Sequence, residues 1–548
     1  MSGPFSLGID YGTLSMRTVV VDMTDGREVS SAVYEYPHGV MDRVLPDGTP
    51  LPDGFALAHP QDYLDGLTDT VRRALAASGV NGGEIIGIGV DATSASLIPL
   101  DGSLAPLCLD QRYAGHPHSY IKLWKHHGAE PQAKMLRQTA LERGEDWLSL
   151  CGGDIRSECL LPKIVETAQE DAEVYDAAAV FVEIGDWQVS HLTSKPVRSL
   201  QMAGSNCFYH LEKGYPSEEF LKAAFPHLPP VTRKMTGTLV PVGSSAGGLA
   251  PEVAEALGLP AGIPVSAPHI DAHTAALGCG ASQEGDLTAV MGTSACYLLN
   301  SASPNGAPGI YSTFWEANAP GWYGLEGGQS AVGDGLAWFV EQCVPAAVTR
   351  EAAERGLSVH TLLTEKAAGL APGESGLLAL DWWNGVRSPL MDPTLRGVVV
   401  GLSLHTRPEE LYRAFLEAIC FGARRIIDCC ETAGHPVKRI FAAGGIAAKN
   451  PLMMQLLADI CGRPVRVCAS AQTCALGSAI LGASAARPGT FSQLIGQMSS
   501  PVVSIYQPQP EAVKVYEDLY RQYLDLSEFL CRPQSPLRQI SSLKKDCL

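Results

Sequence analysis

A Gly-Thr turn occurs twice in the chain, each time between two apolar segments that predict β-strands. The first turn lies in SLGIDYGTLSMRTVVVD and the second in DLTAVMGTSACYLLN, so that Gly12 and Gly292 are 280 positions apart. Strand patterns alternate with helix patterns after each turn, which is typical of an α/β sheet covered by helices. The repeat therefore predicts a duplicated α/β fold whose two turns face each other across a cleft.

The length of the chain, 548 residues, is too great for one hydrophobic core. We expect a first domain over residues 1–280, a second over 281–490 and a helical tail over 491–548 that packs on the body. The tail carries apolar residues at helical spacing, namely Val513, Tyr516, Leu519, Tyr520 and Tyr523.

The charge balance bears on the partners of the protein. The 40 Lys and Arg residues and 58 Asp and Glu residues give a formal net charge of −18, which repels nucleic acids and anionic membranes. No apolar run reaches the roughly 18 residues of a membrane span, and the N-terminus does not resemble a secretory signal. We expect a cytoplasmic protein that binds small molecules, and the sequence leaves open whether it is a homodimer.

The two turns suit the binding of a polyphosphate, because backbone N–H groups in a tight glycine turn converge on an anion and hydroxyls add donors. The predicted phosphate-binding residues are Gly12, Thr13 and Ser15 in the first turn and Gly292, Thr293 and Ser294 in the second. Asp10, between the apolar strands, then gains a role, since a carboxylate beside phosphates can hold Mg²⁺ directly or through water. P-loop and Rossmann fingerprints are missing from the sequence, which disfavours those folds.

The segment AAGGIAAKN places Gly444 and Gly445 at the end of a predicted strand, and Asn450 at the start of the next helix. A glycine pair at the end of a strand lets a flat ring approach the backbone, which suits adenine. Taken alone, the segment is explained equally well by a glycine-rich turn that serves packing.

The segment GIPVSAPHIDAHTAALGCG places Asp271 between an apolar strand and an alanine-rich helix, near the domain junction. A carboxylate at the end of a strand in a cleft can accept a hydroxyl proton. His269 and His273 have the i, i+4 spacing of a zinc pair, but no third cluster of ligands accompanies them. We interpret the two histidines as packing or hydrogen-bonding residues around Asp271.

Five segments, spread over about residues 5–485, together resemble the FGGY carbohydrate kinases: IDYGTLSMRTVVVD, PHIDAHTAALGCG, VMGTSACYLL, DWWNGVRSPLMDPTLRGVVVGLSL and AAGGIAAKN. Further segments resemble the ribulokinase branch of that family: HGVMDRVLPDG, HPQDYLDGL, IIGIGVDATSAS, PHSYIKLWKHHGA and LEGGQSAVGD. The resemblance implies two actin-like, ribonuclease-H-like ATPase domains of the α/β class, with ATP and a ketopentose meeting in the cleft.

The resemblance also implies roles for individual residues. Asp271 would be the general base, Asp10 would help to place Mg²⁺, the two turns would hold the phosphates of ATP, and Gly444-Gly445 with Asn450 would border the nucleotide. The implied sugar contacts are Thr93, Ser94, Lys125, Asn206, Asp271 and Glu326. The implied reaction converts L-ribulose to L-ribulose 5-phosphate.

Two positions depart from the patterns of the family. His126 of LWKHH stands where many of these kinases have Asp, although the ribulokinase branch has a similar KHH. Asn206 of AGSN stands where that branch resembles AGYK or AGHK, and an amide cannot supply the cation of a lysine. The sequence is therefore also consistent with a kinase that phosphorylates another ketopentose or pentitol, such as D-ribulose, xylulose or ribitol. Two other classes of protein remain as alternatives, an actin-like ATPase and a sugar-binding regulator.

Overall fold

The computed structural model describes residues 3–543, and each predicted hairpin lies inside a seven-stranded mixed sheet. The elements of the first part of the chain are β1 (Phe5–Tyr11), β2 (Ser15–Asp22), β3 (Glu28–Glu35), β4 (Leu57–Ala58), α1 (Pro60–Ser78), β5 (Ile85–Ala92), β6 (Leu97–Leu100), β7 (Ile121–Lys122), α2 (Glu130–Arg143), α3 (Leu160–Glu170), α4 (Ala172–Ala177), β8 (Val180–Glu183), α5 (Ile184–Thr193), β9 (Val197–Ser199), α6 (Leu200–Cys207), α7 (Glu218–Ala224), β10 (Thr238–Val240), β11 (Ser245–Gly248), α8 (Pro251–Leu257), β12 (Pro264–Ser266), β13 (His269–Ile270) and α9 (Asp271–Gly278).

The second part of the chain repeats the alternation of strands and helices. Its elements are β14 (Asp286–Met291), β15 (Ala295–Ser301), β16 (Ser312–Trp315), β17 (Tyr323–Gln329), α10 (Gly333–Gln342), α11 (Ala346–Glu354), α12 (Val359–Ala368), β18 (Leu378–Leu380), β19 (Val398–Val400), α13 (Pro408–Thr432), β20 (Arg439–Ala443), α14 (Gly445–Lys449), α15 (Pro451–Cys461), β21 (Val465–Cys468), α16 (Thr473–Ala486), α17 (Phe491–Met498), β22 (Val502–Tyr506), α18 (Pro510–Cys531) and α19 (Pro536–Leu543).

The two large sheets share one plan. The first has the strand order β11-β12-β5-β1-β2-β3, with β13 also paired to β5, and the second has the order β16-β17-β15-β14-β20-β21-β22. In each sheet the first strand of the hairpin is antiparallel to the second and parallel to a later strand, β5 or β20. The predicted α/β fold with two similar domains is therefore confirmed.

Helix α16 belongs by position to residues 281–490 but packs on the first sheet. A Cβ atom added at Gly8 of β1 would lie 1.9 Å from the carbonyl oxygen of Ala475, and one at Gly89 of β5 would lie 1.7 Å from that of Ser478. Glycine at both positions lets the helix backbone rest directly on the sheet. The end of the predicted second domain thus covers the core of the first, and position 280 does not separate two independent units in space.

The tail contains a strand as well as helices. Strand β22 pairs antiparallel with β21 at the edge of the second sheet, because the chain returns to that sheet after α17. Helix α18 then buries Tyr516, Tyr520 and Tyr523 in the core of the second domain. Residues 544–548 of the predicted tail lie outside the described residues. Between residues 3 and 543, no helix is both long enough and apolar enough to cross a membrane.

Candidate active site

Most of the predicted site residues line one cavity of about 250 Å³ between the two domains. The predicted residues in its wall are Thr13, Thr93, Ser94, Asn206, Asp271, Gly292, Thr293, Ser294 and Glu326. They come from strand ends, turns and helix starts that lie far apart in the sequence. Asp10, Gly12, Ser15, Lys125, Gly444, Gly445 and Asn450 are not in the cavity wall.

Each Gly-Thr turn is closed by a hydrogen bond from its glycine, but the first turn is one residue longer than the second, because Tyr11 pairs with Met16 and Met291 pairs with Ala295. The N–H of Gly12 donates to the carbonyl oxygen of Ser15 (3.0 Å), and the N–H of Gly292 donates to that of Ser294 (2.9 Å). Both glycine N–H groups are therefore used within their turns, and the parts of the turns that line the cavity are Thr13 on one side and Gly292, Thr293 and Ser294 on the other.

Gly444 and Gly445 lie beside the second turn. Gly444 has a φ of 93°, and a Cβ atom there would lie 2.4 Å from the carbonyl oxygen of Met291, so a glycine is required for this close approach. No atom lies within 4 Å of a Cβ added at Gly445, which leaves an open surface of the kind predicted for adenine. Asn450 caps α15 by accepting the N–H of Met453 (3.0 Å), and this contact gives it a structural role.

Three carboxyl groups gather at the ends of β1, β5 and β13. Asp10 is in register with Asp91 on the neighbouring parallel strand, and Asp271 begins α9 directly after β13. Arg17 forms an ion pair with Asp10 (Nε–Oδ2 3.4 Å). Asp91 is fully buried, one of its oxygens accepts the hydroxyl of Ser478, and its carboxyl group also shares a hydrogen bond with that of Asp10.

Burial and mutual repulsion set the ionisation of these carboxyl groups. Burial raises the pKa of Asp10 although Arg17 acts to lower it, and burial together with the charge of Asp10 raises the pKa of Asp91 well above its usual range. Burial and the charge of Asp10 also raise the pKa of Asp271 to about 7. The sequence analysis missed Asp91, yet IIGIGVD ends in an aspartate after a buried strand as SLGID does, and this likeness could have identified it.

Glu326 is held by one of the two histidines beside Asp271, and both histidines contact the same backbone carbonyl group. Nε2 of His273 lies 3.2 Å from a Glu326 carboxylate oxygen, and Nδ1 of His273 and Nε2 of His269 lie 2.8 and 2.7 Å from the carbonyl oxygen of Ala317. Burial acts to raise the pKa of Glu326, but the hydrogen bond and charge of His273 outweigh it and lower the pKa. The contacts of both histidines are hydrogen bonds to the Ala317 carbonyl oxygen and, for His273, to Glu326.

Asn206 is anchored by a carboxyl group that the sequence analysis did not identify. Its Nδ2 donates to both oxygens of Glu183 (3.1 and 3.0 Å), and its Oδ1 accepts the hydroxyl of Ser94 (3.1 Å). Burial and the nearby Asp186 raise the pKa of Glu183 to about 8. The neutral amide therefore faces a fully buried acid that has no lysine beside it.

The LWKHH segment reaches the cavity through its tryptophan. Trp124 lines the cavity and donates its indole N–H to Oγ1 of Thr13 (3.1 Å), whereas Lys125 lies outside the wall. His126 is fully buried, with Nε2 3.0 Å from Glu166. The segment thus contacts the first Gly-Thr turn through Trp124 and the core through His126, and Lys125, which is predicted to contact the sugar, is not among the residues of the cavity wall.

Comparison with known proteins gives matches along the whole chain. The N-terminal domain of the FGGY family of carbohydrate kinases matches residues 5–278, and the C-terminal domain of that family matches residues 287–486. The chain is 42% identical over 542 residues to a ribulokinase of Anoxybacillus flavithermus, covering 98% of this chain and 96% of the relative. It is also 42% identical over 552 residues to a ribulokinase of Halalkalibacterium halodurans, covering 99% and 98%.

Solved structures show the same fold at lower identity. The crystal structure of a xylulose kinase from Rhodospirillum rubrum matches with a TM-score of 0.80 and 23% identity over 96% of this chain and 99% of that one. The glycerol kinase of Plasmodium falciparum, solved with ADP, matches with a TM-score of 0.72 and 17% identity over 95% and 97%.

Proposed function

This chain belongs to the FGGY family of carbohydrate kinases, and we propose that it transfers the γ-phosphoryl group of ATP to the terminal hydroxyl of L-ribulose, giving L-ribulose 5-phosphate. Relatives that are 42% identical over nearly the full chain are named ribulokinases. The observation that carries the proposal is the single cavity that unites Asp271, Glu326 and Asn206 with both Gly-Thr turns.

The residues of the cavity can perform phosphoryl transfer with little covalent chemistry, because this reaction depends mainly on positioning and charge neutralisation. Asp271 accepts the proton of the attacking hydroxyl, and a base with a pKa of about 7 suits operation near neutral pH. Thr13, Thr293 and Ser294 face the cavity from the two domains, where they can donate to phosphate oxygens. Glu326, ionised and held by His273, accepts sugar hydroxyls.

The carboxyl cluster fits a Mg²⁺ ion, which ATP-dependent transfer uses to neutralise phosphate charge. Asp10 and Asp91 would hold the ion, directly or through water, because carboxylate oxygens are the ligands that Mg²⁺ prefers. The fit rests on the closeness of Asp10 and Asp91, whose carboxyl groups share a hydrogen bond, and on the repulsion that Asp10 exerts on both Asp91 and Asp271.

Replacing Asp10 by Asn is expected to raise the Mg²⁺ concentration for half-maximal activity by about tenfold or more, since loss of a group at a metal site costs about 10–100-fold in affinity. The KM for the sugar should change little, because Asp10 does not line the cavity. Magnesium titrations at saturating ATP and sugar test this, with Asp25→Asn on the surface as the control. A collapse of sugar affinity with unchanged Mg²⁺ dependence would contradict the role of Asp10.

The pH dependence should report the ionisation of Asp271. Its pKa is raised to about 7, and the base works only when ionised, so kcat/KM for the sugar should fall about tenfold for each pH unit below 7 and level off above it. Initial rates between pH 5.5 and 9, at fixed ionic strength, give the profile. If kcat/KM begins to fall only near the usual pKa of an aspartate, burial and the charge of Asp10 do not raise the pKa of Asp271.

Replacing Asn206 by Lys should lower the KM for L-ribulose, by up to about tenfold. Hydrogen bonds from charged groups contribute about 1.5–3 kcal/mol against about 0.5–1.5 kcal/mol for neutral ones. The gain is limited because the new ammonium group also meets the buried carboxyl of Glu183. Asn206→Gln, which lengthens the side chain without adding charge, is the control. If the KM of every pentose stays the same, residue 206 does not contact the sugar.

Release of ADP, measured with and without sugars, tests the proposed function. The panel is L-ribulose, D-ribulose, the two xyluloses and the matching pentitols, with Asp271→Asn as the inactive control. We expect sugar-dependent release that is fastest with L-ribulose. Faster release with another sugar would favour the alternative substrate, and release that does not depend on any sugar would favour an actin-like ATPase.

A further inference from the structure

Several polar atoms in the cavity wall have no hydrogen-bond partner among residues 3–543. They are the hydroxyls of Ser205, Tyr311 and Ser312. The residues Ser205, Tyr311 and Ser312 are at most 5% exposed. Buried polar groups in folded proteins almost always have a partner, so a cluster of exceptions in a ligand cavity indicates groups that a ligand satisfies.

These atoms surround residues already assigned to the sugar. Ser312 on β16 pairs across the sheet with Glu326, and the N–H of Tyr311 donates to the Glu326 carbonyl oxygen (2.7 Å). Ser205 precedes Asn206 on α6, which packs closely on β16, because a Cβ atom added at Gly204 would lie 2.2 Å from the ring of Phe314. The unpartnered atoms therefore lie where α6 of the first domain meets β16 of the second.

Arg156 is held in place by its neighbours while keeping donors free. Its guanidinium group lies 3.9 Å from the centre of the Tyr311 ring, and its Nε lies 3.4 Å from the carboxylate of Glu158. Arg387 from the second domain donates to the other oxygen of Glu158 (3.2 Å). This Arg–Glu–Arg arrangement fixes the plane of Arg156 across the domain junction, and an arginine can donate but never accept.

We propose that Arg156, Ser205, Tyr311 and Ser312 form the subsite for the end of the sugar that is not phosphorylated, with Arg156 donating to the carbonyl oxygen of a 2-ketose. This rests on the proposed function, in which Asp271 and the phosphate turns fix the reacting hydroxyl at the opposite end. A hydroxyl can both donate and accept, whereas a ketone oxygen only accepts and is matched by a group that only donates. The subsite thus favours ketoses over pentitols.

The first test compares Ser312→Ala and Tyr311→Phe with the matched variant Thr313→Val. Thr313 is also buried on β16 with an unpartnered hydroxyl, but it does not line the cavity. We expect the KM for the sugar to rise about 3- to 10-fold in the two cavity variants, the range for one neutral hydrogen bond, and to stay unchanged in Thr313→Val. The KM for ATP should stay unchanged in all three. Equal sugar KM values in all variants would overturn the subsite.

The second test concerns the carbonyl group. Arg156→Gln should lower the ratio of kcat/KM for L-ribulose to that for ribitol about tenfold, and Arg156→Lys, which keeps the charge and one donor, should restore part of the ratio. An unchanged ratio in Arg156→Gln would overturn the contact with the ketone oxygen. The variants of the first test are assayed with the sugar that gives the highest wild-type rate. If that sugar is a ketopentose other than L-ribulose, it and its matching pentitol replace L-ribulose and ribitol in the second test. A wrong sugar identity would thus count against the proposed function and not against the subsite.

Discussion

Replacing Asp271 by Asn is expected to lower the turnover number with L-ribulose and ATP at least about a hundredfold, the scale of a general base. Asparagine has the same shape but cannot accept the hydroxyl proton at neutral pH. The side chain lies in the cavity wall and not in a hydrophobic core, so the fold and ATP binding should persist. Coupled ADP assays measure the rate, and calorimetric titration with ATP measures nucleotide binding.

Near-normal turnover in Asp271→Asn would exclude this residue as the base. Glu326→Gln is the informative comparison, because it removes a second carboxylate of the cavity wall, one that the proposed function assigns to the sugar. Glu326 binds sugar hydroxyls in the proposed function, so its loss should act mainly on the KM for the sugar, whereas loss of Asp271 should act on kcat.

Asp271→Asn should also stabilise the folded protein in the absence of ATP and Mg²⁺. The pKa of Asp271 is about 7 in the folded state against 3.8 as the ordinary value, so folding disfavours its ionised form. The resulting loss of stability begins as the pH rises above about 4 and is complete above about 7. Asp271→Asn should therefore melt at a higher temperature than the wild type at pH 8 and at nearly the same temperature at pH 4. A lower melting temperature at pH 8 would contradict the raised pKa that burial and the charge of Asp10 give to Asp271.

Short sequence patterns were enough to predict those candidate site residues that lie on one strand or in the turn directly after it. Asp10 and Asp271 were found because a charged residue interrupts or follows an apolar strand, and Thr13 and Thr293 because the Gly-Thr turn recurs. These signals lie within a few neighbouring residues. The cytoplasmic location, the domain limits and the oligomeric state stay predictions from the sequence.

Features that depend on distant contacts were not predicted. The position of α16 on the first sheet follows from Gly8 and Gly89, whose missing side chains have a meaning only when the opposing helix is known. The role of Glu183 depends on its contact with Asn206, 23 positions later. Lys125 was assigned to the sugar by its place in a motif of the family, although Trp124 is the residue of that segment that lines the cavity. Such pairings require the three-dimensional structure.

Replacing Glu166 by Ala is expected to reduce the free energy of unfolding by about 3–5 kcal/mol, the cost of removing one partner of a buried ion pair. Glu166 is fully buried, with Nζ of Lys122 at 2.5 Å and Nε2 of His126 at 3.0 Å. Burial acts to raise the pKa of Glu166, but the charge of Lys122 and the hydrogen bond from His126 hold it well below its usual range. Without the carboxylate, Lys122 would remain in the core with only a carbonyl and the hydroxyl of Thr167 as acceptors.

Urea unfolding, followed by tryptophan fluorescence, measures this loss of stability. The control is Glu170→Ala, which changes a residue one turn after Glu166 on the same helix, α3. The Glu170 side chain is 46% exposed and 3.7 Å from His118, so its removal should change stability by about 0.5 kcal/mol or less. The unfolding free energy of Glu166→Gln, which keeps a hydrogen-bond acceptor, should lie between those of Glu166→Ala and Glu170→Ala.

Because His126 and Trp124 belong to one segment, loss of Glu166 should also loosen the contact of Trp124 with Thr13 and raise the KM for ATP. A stable Glu166→Ala variant would show that the buried histidine of LWKHH does not anchor the wall of the active site.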